Sequence, residues 1–170
     1  MTSSFEILKL PVSLKLTEEE VKSAFEKSQR GEKEIKSRVS LIDPVERLTE
    51  WMAVHKIDVS KHSSISPLVL ELFSEIAEVT QKVNDLHQKR VQATTQLSQT
   101  LLDTKLYEQK PILDSLSERR DHKEGLVLRQ LSQVEDSKDE VRVNEILQSL
   151  KFFRKWKAEL NSLYNKLLVY

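Results

Sequence analysis

Residues 66–86 read SPLVLELFSEIAEVTQKVNDL, and their spacing decides the expected architecture. Ser66 has the chemistry of a helix N-cap, and Pro67 suits the first helical position, where its missing N–H costs nothing. Leu68, Leu72, Ile76, Val79, Val83 and Leu86 then recur three or four residues apart, which is one face of an α-helix and an approximate heptad. Ala93, Leu97 and Leu101 continue the stripe, so the spacing predicts a single helix of about 35 to 40 residues, on the order of 50 to 60 Å long. A stripe of that length has to be covered by antiparallel partners. Pro111 to Leu131 supplies Leu113, Leu116, Leu128 and Leu131. Asp139 to Tyr170 supplies Val143, Ile146, Leu150, Phe153, Trp156, Leu160, Leu163 and Leu167. Residues 66–170 are therefore expected to form a three-helix antiparallel bundle.

Upstream, the signals are local rather than periodic. Phe5 to Leu16 mixes apolar residues around Pro11, which reads as a short helix followed by an extended stretch. Thr17 with Glu20 is a capping box, and it predicts a helix over 18–30 carrying Val21, Ala24 and Phe25 on one stripe. Gly31 is expected to end that helix in the left-handed conformation. Glu32 to Ser40 is again helical but polar, with only Ile35 and Val39 as an apolar pair. Asp43 and Pro44 open another helix, to Lys56, with Val45, Leu48, Trp51, Met52 and His55 on one face. Residues 57–64 read as a polar connection. The fold class expected is all-α, a small N-terminal helical unit over 1–60 followed by the bundle.

Composition narrows the functions. There are 27 basic and 27 acidic residues, so no net field exists to hold a polyanion, and nucleic-acid binding is not expected. The chain has no Cys, which excludes disulfides and thiolate-held metals and fits a reducing compartment. Only 2 Gly and 4 Pro argue against turn-rich β architectures. No apolar run spans a bilayer, and MTSSFEILKL lacks the features of a signal peptide. A cytoplasmic location is expected, with the mitochondrial matrix as the alternative.

The usual catalytic constellations are absent from the sequence. The histidines at 55, 62, 87 and 122 have no metal-ligand spacing; His55 reads as a core-edge residue and the others as solvated. The carboxylate pairs Asp139 with Glu140 and Glu71 with Glu75 lack a partner base or donor and read as surface helix charges. Gly31 and Gly125 stand alone, so no phosphate-binding loop exists. The run KFFRKWK over 151–157 reads as an amphipathic bundle helix with Trp156 in the core. No enzymatic activity, cofactor or metal is expected. What remains is a surplus of apolar residues off the core stripes: Val69, Leu70 and Phe73 on the long helix and Phe152 on the last one. Rimmed by Glu71, Glu75 and Glu78, they read as a contact for the N-terminal unit or as a protein-binding site.

The order of these pieces resembles the HscB-type J-domain co-chaperones of iron-sulfur cluster assembly. FEILKLPVSLKLTEEEVKSAFEKSQR (5–30) is similar to that family's opening, with Phe25, Gln29 and Arg30 on its helix. LIDPVERLTEWMAVHKIDVS (41–60) resembles the end of its J-domain and linker. SPLVLELFSEIAEV (66–79) resembles the start of its long C-terminal helix, and LKFFRKWKAELNSLYNKLLVY (150–170) its last helix. The middle, roughly residues 81–140, matches only in helical character. The resemblance implies a binding protein with no catalysis of its own and two partners, a cluster scaffold of the IscU type and a DnaK-type chaperone. It places the scaffold-binding patch on Val69, Leu70, Phe73 and Phe152, with two of the family's acidic patch positions occupied by Ser74 and Ala77. The chain departs from the family between Arg30 and Asp43, where the His-Pro-Asp loop that triggers the chaperone's ATPase is missing. The J-like unit is accordingly expected to be truncated and without that stimulation. Lys33, Lys36 and Arg38 add positive charge beside the gap. The alternative to a scaffold-binding co-chaperone is a self-associating helical adaptor, a homodimer whose seam uses the surplus apolar residues.

Overall fold

The computed structural model describes residues 2–60 and 63–168, and every regular element among them is a helix. His62 and the terminal Tyr170 of the sequence reading lie outside the described residues. The chain divides into two compact units, residues 1–64 with 126–151, and residues 65–125 with 152–170.

In the first unit, α1 (Ser4–Ile7), α2 (Glu18–Glu26), α3 (Glu32–Ile42) and α4 (Pro44–Val54) are each opened by a residue whose conformation is extended. Ser3 with Glu6 and Thr17 with Glu20 form complete capping boxes, and Asp43 accepts from the amides of Val45 and Glu46. Phe5, Leu8, Leu14, Leu16, Val21, Leu41, Val45, Leu48, Trp51 and Met52 are buried. α3 packs on α1, α2 and α4. Ile35 and Val39, its expected apolar pair, are exposed, whereas Ser37 and Leu41 are buried. The helix turns its small and C-terminal residues inward because so short an element has only one face in contact.

Polar groups fasten these short helices. Glu50 on α4 accepts from the amide and hydroxyl of Ser4 (2.9 and 2.5 Å) and from the Ser40 hydroxyl (2.7 Å), joining α1, α3 and α4. Arg47 is buried and donates to the carbonyls of Leu16 (3.0 Å) and Leu41 (3.4 Å). Burial works against its charge and lowers its pKa, with Asp43 acting in the opposite sense. The polar connection after α4 is tied to the last helix. Asn144 accepts from the Ser60 amide at 2.7 Å and donates to the Asp58 carbonyl at 3.1 Å.

Gly31 does not end α2. It has φ −76° and caps α3, while Arg30 takes the left-handed conformation at φ 53°. Lys9, Lys56 and Lys138 do the same after α1, α4 and the seventh helix. After α1 and α4 the chain closes as Schellman motifs, with Leu10 N–H bonded to the Phe5 carbonyl and Ile57 N–H to that of Met52, both at 2.8 Å.

The second unit is built from α5 (Pro67–Gln92), α6 (Gln96–Tyr107) and parts of α7 (Lys110–Ser137) and α8 (Glu140–Leu167). The single helix expected from residue 67 to beyond 101 is two. Ala93 is extended (ψ 130°), Thr95 caps α6 by accepting from Ser98 N–H, and Gln99 donates to the Ala93 carbonyl at 3.0 Å. Consecutive β-branched residues at 94 and 95 and a local cap outcompete a stripe with nothing to bury it. α6 folds back on α5, held by an Arg90–Asp103 ion pair at 2.5 Å.

Side-chain contacts give the directions of the rest. Glu75 meets Arg119 and Glu71 meets Lys123, so α5 and α7 run antiparallel; Asn84 meets Lys166 and Phe73 meets Phe152, so α5 and α8 run parallel. The three long helices expected are present, with α6 as an addition, and residues 126–151 of α7 and α8 belong to the first unit. The stripe on α5 is Val69, Leu72, Ile76, Val79 and Val83, with Leu68 only half-buried. On α7 the stripe passes through Val127 instead of Leu128. On α8 the expected stripe is buried from Val143 to Leu163, joined by Leu147, while Leu167 is half-buried.

Candidate functional site

Helical spacing places Phe73 on the flank of α5 that faces α8, one turn from Leu70. Leu70 is 56 % exposed and Phe73 50 % exposed, whereas Phe152 is half-buried. Val69, read as a fourth member of this surface, is 0 % exposed and belongs to the core stripe. It presents nothing to solvent. Swapping Leu68 for Val69 turns the α5 stripe into a strict alternation of three and four, which is the signal that would have placed it correctly.

The rings form a connected set. The Phe73 centroid lies 6.2 Å from those of both Phe152 and Trp156, in edge-to-face geometry, and the Phe152 and Trp156 centroids are 5.6 Å apart. Trp156 in turn meets the fully buried Phe153 at 6.1 Å. Centroid separations of this size are the favourable range for aromatic pairs. Trp156 is itself buried, as the sequence suggested, so it anchors the exposed rings to the core.

The expected acidic rim is arranged otherwise. Glu75 is held by a two-pronged pair with Arg119, both bonds 2.7 Å, and Glu71 is bonded by Lys123. The Arg119 bond lowers the Glu75 pKa, and Glu75 raises that of Arg119. Both carboxylates are on the flank of α5 toward α7. The exposed residues of α5 nearest the patch, Ser74 and Ala77, carry no charge. The surface thus offers aromatic and aliphatic area, with the uncharged Ser74 and Ala77 beside it on α5.

Sequence reasoning missed Arg120, which is 3 % exposed on α7. Its Nη1 donates to Glu124 at 2.6 Å and to the Phe153 carbonyl at 3.0 Å, and its Nη2 bonds Asp121. The signal was available: Leu113, Leu116, residue 120 and Val127 continue one heptad, so a charged residue falls on a core position.

The carboxylates considered from sequence have structural partners. Asp139 caps α8 by accepting from the amides of Val141 and Arg142, and Glu71 and Glu75 are ion-paired. Among the described residues, no three His, Asp or Glu side chains gather as a metal site would require. No described helix is long and apolar enough to cross a membrane. In the first unit, the segment between α2 and α3 is only residues 27–31. Lys36 pairs with Glu32 at 2.6 Å, and the Arg38 guanidinium sits 4.3 Å over the Phe25 ring. Two of the three cations beside that gap are therefore engaged within the unit.

No family model and no curated protein sequence matches the chain. Among solved structures it is similar to the chaperone HscB from Vibrio cholerae, with a TM-score of 0.68 at 16 % sequence identity. That match covers 98 % of this chain and 100 % of the other. The fold of the whole chain is thus HscB-like.

Proposed function

We propose that this protein is a co-chaperone-like binding protein that holds an iron-sulfur cluster scaffold of the IscU type on Leu70, Phe73 and Phe152, with Trp156 as their support. The observation that carries the reading is the pair of Phe73 and Phe152, contributed by two helices 79 positions apart in sequence (152 − 73) yet in ring contact, with half of Phe73 left in solvent. Desolvating an aromatic pair of this kind supplies hot-spot energy, and truncating such a residue typically costs about 2 kcal/mol or more. The full-length likeness to HscB supports the same role. In this reading residues 1–60 are a truncated J-like domain, residues 66–170 the client-binding domain, and a DnaK-type chaperone the receiver of the scaffold. His-Pro-Asp is absent between α2 and α3, so stimulation of that chaperone's ATPase is not carried over from the family.

Calorimetric titration with an IscU-type scaffold tests this. Saturable binding that is lost in the Phe73→Ala, Phe152→Ala double variant, at unchanged helicity, is the expected result. Binding that survives the double variant, or its absence in the parent, would overturn it. A second reading, self-association, is favoured by a different surface: Leu97 and Leu101 lie one turn apart on α6 and are 72 % and 56 % exposed. Light scattering that shows a monomer at all concentrations would remove it.

A further inference from the structure

We infer that the protein partner seated on the ring patch presents a carboxylate beside an apolar side chain, and that Lys155 is the group on this chain that receives it. The inference rests on the patch proposed above to hold a scaffold, and adds the sign of charge that the scaffold's docking face carries. The run FFRKWK (152–157) supplies two kinds of side chain. Phe152, Phe153 and Trp156 belong to the ring set, and Arg154, Lys155 and Lys157 are exposed. Bundle packing accounts for the rings, and Lys155 is the cation that borders the patch. It follows Phe152 by three residues, one turn along α8, and precedes Trp156 by one, about 100° round the helix. It therefore stands on the side of Phe152 away from Trp156.

Charge around the rings is one-sided. On α5 the exposed neighbours of Leu70 and Phe73 are Ser74 and Ala77, which carry none. Glu71 and Glu75 are bonded by Lys123 and Arg119 of α7, on the other flank of the helix. On α8, Lys155 enters no ion pair among the described residues. The first acidic residue after the rings, Glu159, lies two turns beyond Phe152. An exposed apolar surface with a free cation at its edge fits a partner of complementary sign, because rim charges select the partner and speed its approach even where they add little affinity. A lipid surface would instead need a continuous exposed apolar helix face, and α8 buries its own in the core.

The test titrates an IscU-type scaffold into the full-length parent, Lys155→Gln and Lys155→Glu, at low and at high salt. Affinity of the parent should fall as salt rises. At low salt Lys155→Gln should weaken binding by up to about five-fold and Lys155→Glu by more, with helicity and melting unchanged. Lys155→Glu binding as tightly as the parent, or more tightly, would overturn the inference. A second measurement needs no scaffold: heptanoate and heptylammonium carry the same aliphatic chain with opposite charge. Ring-proton shifts of Phe73 and Phe152 in the parent should respond at a lower concentration of heptanoate than of heptylammonium, and Lys155→Glu should reverse that order. The same order in both proteins, or none in the parent, would overturn the inference. So would binding of the parent to phosphatidylglycerol vesicles that is lost in the Phe73→Ala, Phe152→Ala variant, since the surface would then belong to a lipid. A parent that binds no scaffold counts against the proposed function, and the heptanoate series then decides the inference by itself.

Discussion

The helices of residues 1–60 and the long helices α5, α7 and α8 solve the same problem by opposite means. The former run 4 to 11 residues, too short to hold themselves in water; Ser3, Thr17 and Asp43 cap three of them, while α3 has no side-chain cap, and polar side chains reach across the unit. Glu50, Arg47 and Asn144 make those ties. The latter run 26 to 28 residues and bury continuous apolar stripes, with ion pairs such as Glu75–Arg119 along their edges. Short elements depend on local caps and a few polar ties, whereas long ones depend on the length of their apolar faces.

The largest effects should not distinguish the two regions. Trp51→Ala and Phe153→Ala each empty a site that is fully buried, and each should cost about 3 to 5 kcal/mol in denaturant unfolding. A cost below about 1 kcal/mol for Trp51→Ala would show that the short helices do not share a core. The next test separates the regions. Asn144→Ala removes the bonds to the Ser60 amide and the Asp58 carbonyl and should cost about 1 to 3 kcal/mol, with faster hydrogen exchange at Ser60. The same change at the exposed Asn84, which bonds the Lys166 ammonium, should cost less than about 0.5 kcal/mol.

Smaller effects test helix termini and interiors. Lys56 sits at φ 57° where glycine has no Cβ penalty, and Gly125 sits within α7 where a Cβ would meet nothing within 4 Å. Lys56→Gly and Gly125→Ala should each stabilise by about 0.5 to 1 kcal/mol, read as a raised melting temperature. The smallest is a pH effect. Burial lowers the His55 pKa, Lys138 repels its charge, and Glu135 offsets this in part. The unfolded chain therefore takes up a proton first as the pH falls, and stability is lost through and below the ordinary imidazole value of about 6.5. Melting temperatures of His55→Gln should fall less than the parent's over that window.

Capping chemistry located the starts of α2, α4 and α5 to the residue, because a cap is a bond between neighbours in the chain. Apolar spacing likewise found the α8 stripe from Val143 to Leu163, and singled out Leu70, Phe73 and Phe152 as surplus. Where two readings of a stripe differed by one residue, as at Leu68 and Val69 or Leu128 and Val127, spacing alone chose the wrong member. A rotation of one position changes the apolar pattern little and the buried face a great deal. The break at Ala93 was hidden for a related reason: a continuing stripe is favourable only if something covers it, and whether α6 turns back is not a property of residues 93–101.

The residues by themselves determined an all-helical chain, the places where most of its helices begin, and the absence of the usual catalytic motifs. These follow from local hydrogen bonding and from the period of the apolar positions. Only the tertiary structure decided that Phe73 and Phe152 meet, that Glu71 and Glu75 are neutralised from α7, and that Arg120 is buried against Phe153. Each of these depends on how one helix packs against another, which the period of the apolar positions along either helix leaves open.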